Sequence, residues 1–449
     1  MSISSTPGRP LTHRAVLAIA VPVMISNVST PLIGIVDTWI VGRYPNATYI
    51  GAVAVGALVF TFVFWGFGFL RMGTTGLTAQ AYGAGDQDEL AAWLGRSLLI
   101  AAVAGVGLIL LQWPIREIAF SLLGASPAVE RLARGFFAVR IWSAPATLAN
   151  YALLGWFIGL GRSRIGLALQ LVLNLTNMAL DLVFVLGLHW NVRGVALGTT
   201  LAEYVAAAMG VVLALRYLRR TGGHLRWPRI LDAAQLKRSF VVNGDIMIRT
   251  LALMTVFVWF TSQGARQGDA ILAGNAVLMQ FITACAFFLD GMAFSAEALV
   301  GRAMGAAQRS GFTLAARMTT LWAAVVAVVL TVVLFLFGPY FIDGLTVDAT
   351  ARAAARAFLP WAAVAPLLGV WAFQLDGIFI GATRTADMRN AMLASLAIFL
   401  VAWRLLLPWG NTGLWAAFYV HYLARTGSLL YFYPGLVRSV PVAAIQGSQ

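Results

Sequence analysis

The stretch Gly155–Ser163 reads GWFIGLGRS, and 222 positions later Gly377–Thr385 reads GIFIGATRT. The same shift lays Ala81-Tyr82-Gly83-Ala84 over Ala303-Met304-Gly305-Ala306. Two separate matches at one offset mark the chain as two copies of one unit joined head to tail. In so apolar a chain, that duplication points to a transporter whose pathway lies between two homologous lobes.

Composition identifies the solvent as lipid. The chain has 449 residues, 60% hydrophobic and 11% charged, with a mean hydropathy of +0.82. Twelve apolar runs lie at roughly 15–41, 50–79, 94–113, 132–158, 165–188, 194–218, 239–263, 270–296, 312–337, 353–381, 388–408 and 412–437, each long enough to cross hydrocarbon as a helix. They are continuously apolar, whereas barrel strands alternate with period two, so the expected class is all-α integral membrane. A cleaved leader fits the first run poorly, because that run is long, holds Pro22 and Pro31, and is followed by eleven more.

The net charge of +14 is placed for a membrane and not for nucleic acid. With the N-terminus on the cytoplasmic side, most of the 31 Lys and Arg fall in cytoplasmic segments, most densely between Arg216 and Arg238. That is the positive-inside bias, with anionic lipid headgroups as partners. Arg116, Arg131 and Arg134 fall outside but share their loop with Glu117 and Glu130. Both termini are therefore expected in the cytoplasm of a cell whose inner membrane holds the chain. The basic stretch divides it into an N-lobe at 1–215, a cytoplasmic linker at 216–238 and a C-lobe at 239–449. Six runs on each side make the copies enter from the same side, as a parallel pseudo-two-fold repeat of two six-helix bundles. Asn191–Gly194 also resembles Asn411–Gly413.

Little in the chain suits catalysis or metal. Cys285 stands alone, and His13, His189, His224 and His421 are scattered without metal-ligand spacing. No phosphate-binding loop and no nucleophile–base constellation occurs. The expectation is no metal, no cofactor, no ATP and no enzyme activity.

Charge inside hydrocarbon is costly, so each acid there is a functional candidate. Span five carries Gln170, Asn174, Asn177 and Asp181 at spacings of four, three and four, on one helical face. Span one carries Asn27, Thr30 and Asp37 on one face. If the stripes meet, Asp37 and Asp181 form a carboxylate pair in a low-dielectric site, able to load and release a proton. The alternative is that these groups only tie helices together. At the offset, positions 259 and 403 are both Trp, so the pair belongs to the first copy alone. In the second copy, Asp245 and Arg249 at i,i+4 read as a salt bridge within one helix. Asp290, Glu297 and Asp376 either line a cation-binding cavity or tie helices. Arg71 needs a partner that the sequence does not name. Pro22 removes a backbone hydrogen bond and is expected to kink span one, either as a static bend or as a responsive one.

Val36-Asp37-Thr38-Trp39-Ile40-Val41-Gly42-Arg43, then Gly51-Ala52-Val53-Ala54-Val55-Gly56, resembles the first two helices of the multidrug and toxic compound extrusion family. Phe69–Ala81 and Phe373–Gly381 are similar to its DinF-like branch. The resemblance implies a V-shaped pair of bundles exporting organic cations or related amphiphiles against proton entry. It implies a proton site of Asp37, Asp181 and Asn177 with the Thr199 hydroxyl, and Pro22 as a hinge that rebends on protonation. Asn27, Thr30, Asn174, Asp290, Glu297 and Asp376 are possible cavity-lining polar groups. Sodium stays an alternative coupling ion, but Asp245 lacks the pattern that surrounds the sodium-binding acid of the NorM-like branch. The expected partners are small cationic or amphiphilic substrates and membrane lipid, with the protein a monomer. A lipid-linked precursor flippase is the alternative function.

Overall fold

The computed structural model describes residues 11–43 and 47–441. Hydrocarbon offers no water to backbone polar groups, so spanning segments must close their hydrogen bonds internally. The described residues accordingly fold as sixteen α-helices with short connecting turns. From the first copy come α1 (His13–Val41), α2 (Ala47–Trp65), α3 (Phe69–Ala84), α4 (Gln87–Leu110), α5 (Gln112–Leu123), α6 (Pro127–Arg140), α7 (Ala144–Gly159), α8 (Ser163–Asp181) and α9 (Asn191–Thr221). A short α10 (Trp227–Ile230) leads to α11 (Ala233–Ala265), α12 (Asp269–Gly305), α13 (Arg309–Leu345), α14 (Ala349–Gly381), α15 (Thr385–Leu406) and α16 (Gly410–Ser439).

The helices repeat at the offset read from the sequence. The range of α2 and α3 maps onto α12, that of α4 and α5 onto α13, and that of α6 and α7 onto α14. The first copy is broken where the second runs on. Gly66 and Gly68 bracket the break before α3, and a 3-10 turn at Ile141–Ser143 separates α6 from α7. Pro145 sits in the first turn of α7, where its missing N–H costs nothing.

Packing repeats as well. A Cβ on Gly155 would sit 2.3 Å from the Arg71 carbonyl oxygen, and one on Gly377 would sit 2.4 Å from that of Ala293. The quoted glycine motifs are thus the close crossings of α7 over α3 and of α14 over α12, where only a hydrogen atom fits. Left-handed backbone recurs at Gly85 (φ 75) and Ala307 (φ 54), and again at Gly161 (φ 61) and Thr383 (φ 55).

The described residues pack as two compact units, one within 25–240 and one joining 11–24 with 241–441. α1 therefore contributes to both. Its Ala20 packs with Leu289, Met292, Ala323, Ala327 and Val370. Phe60, Phe120, Phe136 and Phe137 anchor the core of the first unit, and Phe260, Trp415 and Phe418 that of the second.

Ten stretches among the described residues are long and apolar enough to cross a membrane. One of them, Thr385–Ser439, contains both α15 and α16. The run at 132–158 is not among the ten; the 3-10 turn at Ile141–Ser143 divides it between the amphipathic α6 and the shorter apolar α7. The basic stretch after Arg216 is mostly helical, and its turn is docked. Arg96 donates to the Arg229 carbonyl at 2.5 Å and to the Ile230 carbonyl at 3.3 Å, while Arg229 pairs with Asp86 at 3.2 Å.

Candidate functional site

The polar stripe on α8 is turned into the first unit, with Asn174, Asn177 and Asp181 all buried and Gln170 half-buried. Gln170 donates to Asn174 at 2.8 Å, and Asn174 donates to both the carbonyl and the hydroxyl of Ser29 on α1, each at 3.1 Å. One turn further, Asn177 donates to the Thr199 hydroxyl on α9 at 3.1 Å. Thr199 in turn donates to the Val195 carbonyl, so its lone pairs face α8. The side chains of Asp37 and Asp181 are close enough to act on one another, with Asn177 also beside Asp181, while both Asp181 oxygens and Oδ1 of Asp37 are buried without a hydrogen-bond partner.

Two local features allow that meeting. α9 presents Gly198, where a Cβ would lie 2.3 Å from Asp181 Oδ1, so a bare backbone makes room for the carboxyl. α8 also ends its regular winding at Asp181 and continues as a π-helical turn at Leu182–Gly187. Such turns widen the backbone and recur at functional sites.

A buried ion pair stands beside the acids. Arg140, at the end of α6, donates to Glu203 on α9 at 3.3 Å and to the Ser143 hydroxyl. Asn150 donates to the other Glu203 oxygen at 2.7 Å, and the rings of Phe60 and Phe64 flank the guanidinium. Arg140 also lies within electrostatic reach of Asp37. The site thus brings Asp37, Asp181 and Glu203 together near the Arg140 guanidinium, in a setting where two adjacent carboxylates cannot both be charged cheaply.

The second copy keeps the juxtaposition and changes the chemistry. Trp259 and Trp403, at the offset from Asp37 and Asp181, stand edge to face with ring centroids 5.0 Å apart. Phe399 and His421, at the offset from Asn177 and Thr199, are likewise neighbours at 6.1 Å. The offset therefore holds without drift through these helices.

Residues 22–183 and 246–403 each match the MatE family, one copy apiece. The chain belongs to the MatE family of multidrug and toxic compound extrusion transporters. It is 41% identical over 419 residues to DNA damage-inducible protein F of Escherichia coli (strain K12), covering 93% of this chain and 91% of that one. Its place is thus in the DinF-like branch. Among solved structures, it superposes on a MATE protein in the bent conformation at a TM-score of 0.85 and 18% identity, with 95% of each chain covered. A second neighbour is an outward-facing multidrug resistance MATE family transporter of the MOP superfamily, at 0.84 and 17%, covering 95% of this chain and 96% of that one. A third is the Vibrio cholerae MATE transporter VcmN in its bent form, at 0.84 and 18%, covering 95% and 97%. The protein is an integral membrane transporter with the two-bundle MATE fold.

Not every residue singled out from the sequence joins this site. Thr30 is exposed and donates back to the Ser26 carbonyl of its own helix at 3.3 Å, and Ser29 takes the place opposite α8. Asn27 is half-buried on α1, and α1 continues as helix through Pro22, which is buried. Arg71 is buried on α3 within reach of Tyr151. Asp290, half-buried, and Glu297, buried, lie on α12.

The expected bridge from Asp245 to Arg249 does not form. Asp245 accepts from Arg389 at 2.6 Å and from Thr385 at 3.0 Å, both on α15. Arg249 instead pairs with Asp376 on α14. Partners across helices offer a buried, multiply bonded carboxylate, which an i,i+4 pair on one helix does not match. Sequence reasoning passed over Arg140, Glu203, Gly198 and Arg425. Glu203 and Arg140 carried the signal used elsewhere, a charge at membrane depth.

Proposed function

We propose that this transporter is a proton-coupled antiporter that exports organic cations or related amphiphiles by alternating access. The observation that carries the reading is the contact between Asp37 on α1 and Asp181 on α8, supported by Asn177 and Thr199. A proton shared by the two acids lets α1 and α8 close. Its loss leaves two like charges in a medium of low dielectric, a repulsion of about 4 kcal/mol at 4 Å and an effective ε of 20. That is enough to favour a second packing of α1, with Pro22 as the point of bending. Proton entry thereby opposes substrate retention, which couples the two fluxes. The multidrug substrate class is carried over from the outward-facing neighbour. The assignment extends to a bacterial inner membrane with both termini cytoplasmic, a monomer, and no cofactor other than the coupling proton.

Proteoliposomes with proton and sodium gradients imposed separately test this. A pH gradient alone should drive dye efflux, a sodium gradient alone should not, and Asp37→Asn should abolish efflux while the protein stays folded and inserted. Efflux by Asp37→Asn at the wild-type rate under a pH gradient sinks the proposal. Flipping of a lipid-linked precursor is the second reading, favoured by the cationic excess at Arg249 and Arg425.

A further inference from the structure

The second unit buries a charge cluster that the proton scheme does not use. Asp376 on α14 pairs through one oxygen with both Arg249 of α11 and Arg425 of α16. All three side chains are almost wholly buried. Among the described residues no other carboxylate bonds either guanidinium. The Nε atom of each arginine and the second oxygen of Asp376 have no hydrogen-bond partner. Phe373 packs against Arg425 at 5.8 Å, and the charged and titratable groups acting on Arg425 are Asp376, Arg249 and Tyr422. His421 borders the same three charges with both ring nitrogens unbonded and the Ser395 backbone alongside.

Two guanidiniums against one carboxylate leave one positive charge unbalanced, and an uncompensated buried ion costs several kcal/mol. The first unit gathers carboxyls instead, with Asp37, Asp181 and Glu203 near Arg140. The inversion is visible at a single repeat position, where Glu203 of the first copy corresponds to Arg425 of the second.

We propose that the Arg249–Asp376–Arg425 cluster is a binding site for a monoanionic oxyanion, a carboxylate or phosphate group borne by an amphiphile. Such a group neutralises the excess charge. It also suits the planar fork that each arginine now fills only in part, through one terminal nitrogen while Nε stays empty. Asp376 holds the place of the ligand's anionic head and competes with it. The inference goes beyond cation export and assigns this transporter a second class of cargo.

The test is equilibrium binding of dansyl-labelled undecanoate, whose emission rises on leaving water, to the full chain in phosphatidylcholine nanodiscs. Its neutral methyl ester is the control. The carboxylate should bind at least about tenfold more tightly than the ester. Arg425→Gln should weaken the carboxylate by about tenfold or more, and Asp376→Asn should tighten it by a similar factor, with the ester unmoved. Equal binding of acid and ester by the wild-type protein overturns the proposal without requiring any variant to fold. Acid binding that is the same in all three proteins also overturns it. Phosphatidylglycerol in the disc should lower the apparent affinity if a lipid headgroup is the natural occupant, and leave it unchanged if a free organic anion is. Asp37→Asn should bind the probe normally, so failure of the proton scheme and failure of this site are told apart.

Discussion

Replacing Gly198 by alanine perturbs the proposed proton site without touching a polar group. An ideal Cβ there stands 2.3 Å from Asp181 Oδ1, 3.3 Å from its Cγ and 3.4 Å from its backbone nitrogen. Ordinary contact begins about 1 Å further out, so either the carboxyl withdraws from Asp37 or α9 moves away from α8. Overpacking of this kind costs about 1–3 kcal/mol. A displacement of roughly 1 Å at a proton-transferring pair is expected to lower pH-driven efflux by at least about tenfold. Gly107→Ala is the matched control, because nothing lies within 4 Å of a Cβ at that helical position. It should melt no lower than wild type, since alanine is favoured over glycine in a helix by about 1 kcal/mol. Efflux in proteoliposomes and melting followed by tryptophan emission check both variants. Gly198→Ala that melts and transports like Gly107→Ala would refute the claim that Asp181 is held against Asp37 by the bare backbone of α9.

Ala307→Gly should raise the melting temperature, because a left-handed residue with φ 54 costs roughly 1 kcal/mol with a Cβ and nothing without one; a lower melting temperature would contradict that. Glu203→Gln should destabilise the first unit by about 3–5 kcal/mol by stranding the buried Arg140, and adding Arg140→Gln should restore most of the loss in a denaturation series. Equal losses in the single and double variants would mean that the pair is not coupled. At the surface, hydrogen bonds from Arg134 and then Arg116 hold the Glu117 carboxyl down at about 2, below its ordinary 4.5. A depressed acid stabilises the fold fully above its unfolded value and loses that contribution as pH falls through the folded value. Acid melts should therefore separate wild type from Glu117→Gln above about pH 4.5 and converge toward pH 2.

The duplication was legible because it rests on glycines that a close helix crossing demands, and those crossings occur at Gly155 and Gly377. The acid pair was legible because 3.6-residue spacing fixes which face of α8 is polar, and a polar face turns inward in lipid. Helical spacing says nothing about which helix stands opposite. That is why spacing pairs Asp245 with Arg249 on its own helix and not with Arg389, and why it does not single out Ser29. Gly198 was illegible for a different reason. One glycine among 44 acquires meaning only when the atom it makes room for is known.

The central claim, one proton shared between Asp37 and Asp181, is tested most directly by infrared difference spectroscopy of the reconstituted protein across pH. A protonated carboxyl band should titrate at the pH of half-maximal efflux and vanish in both Asp37→Asn and Asp181→Asn. A band that survives either substitution, or titrates where transport does not change, would contradict the account.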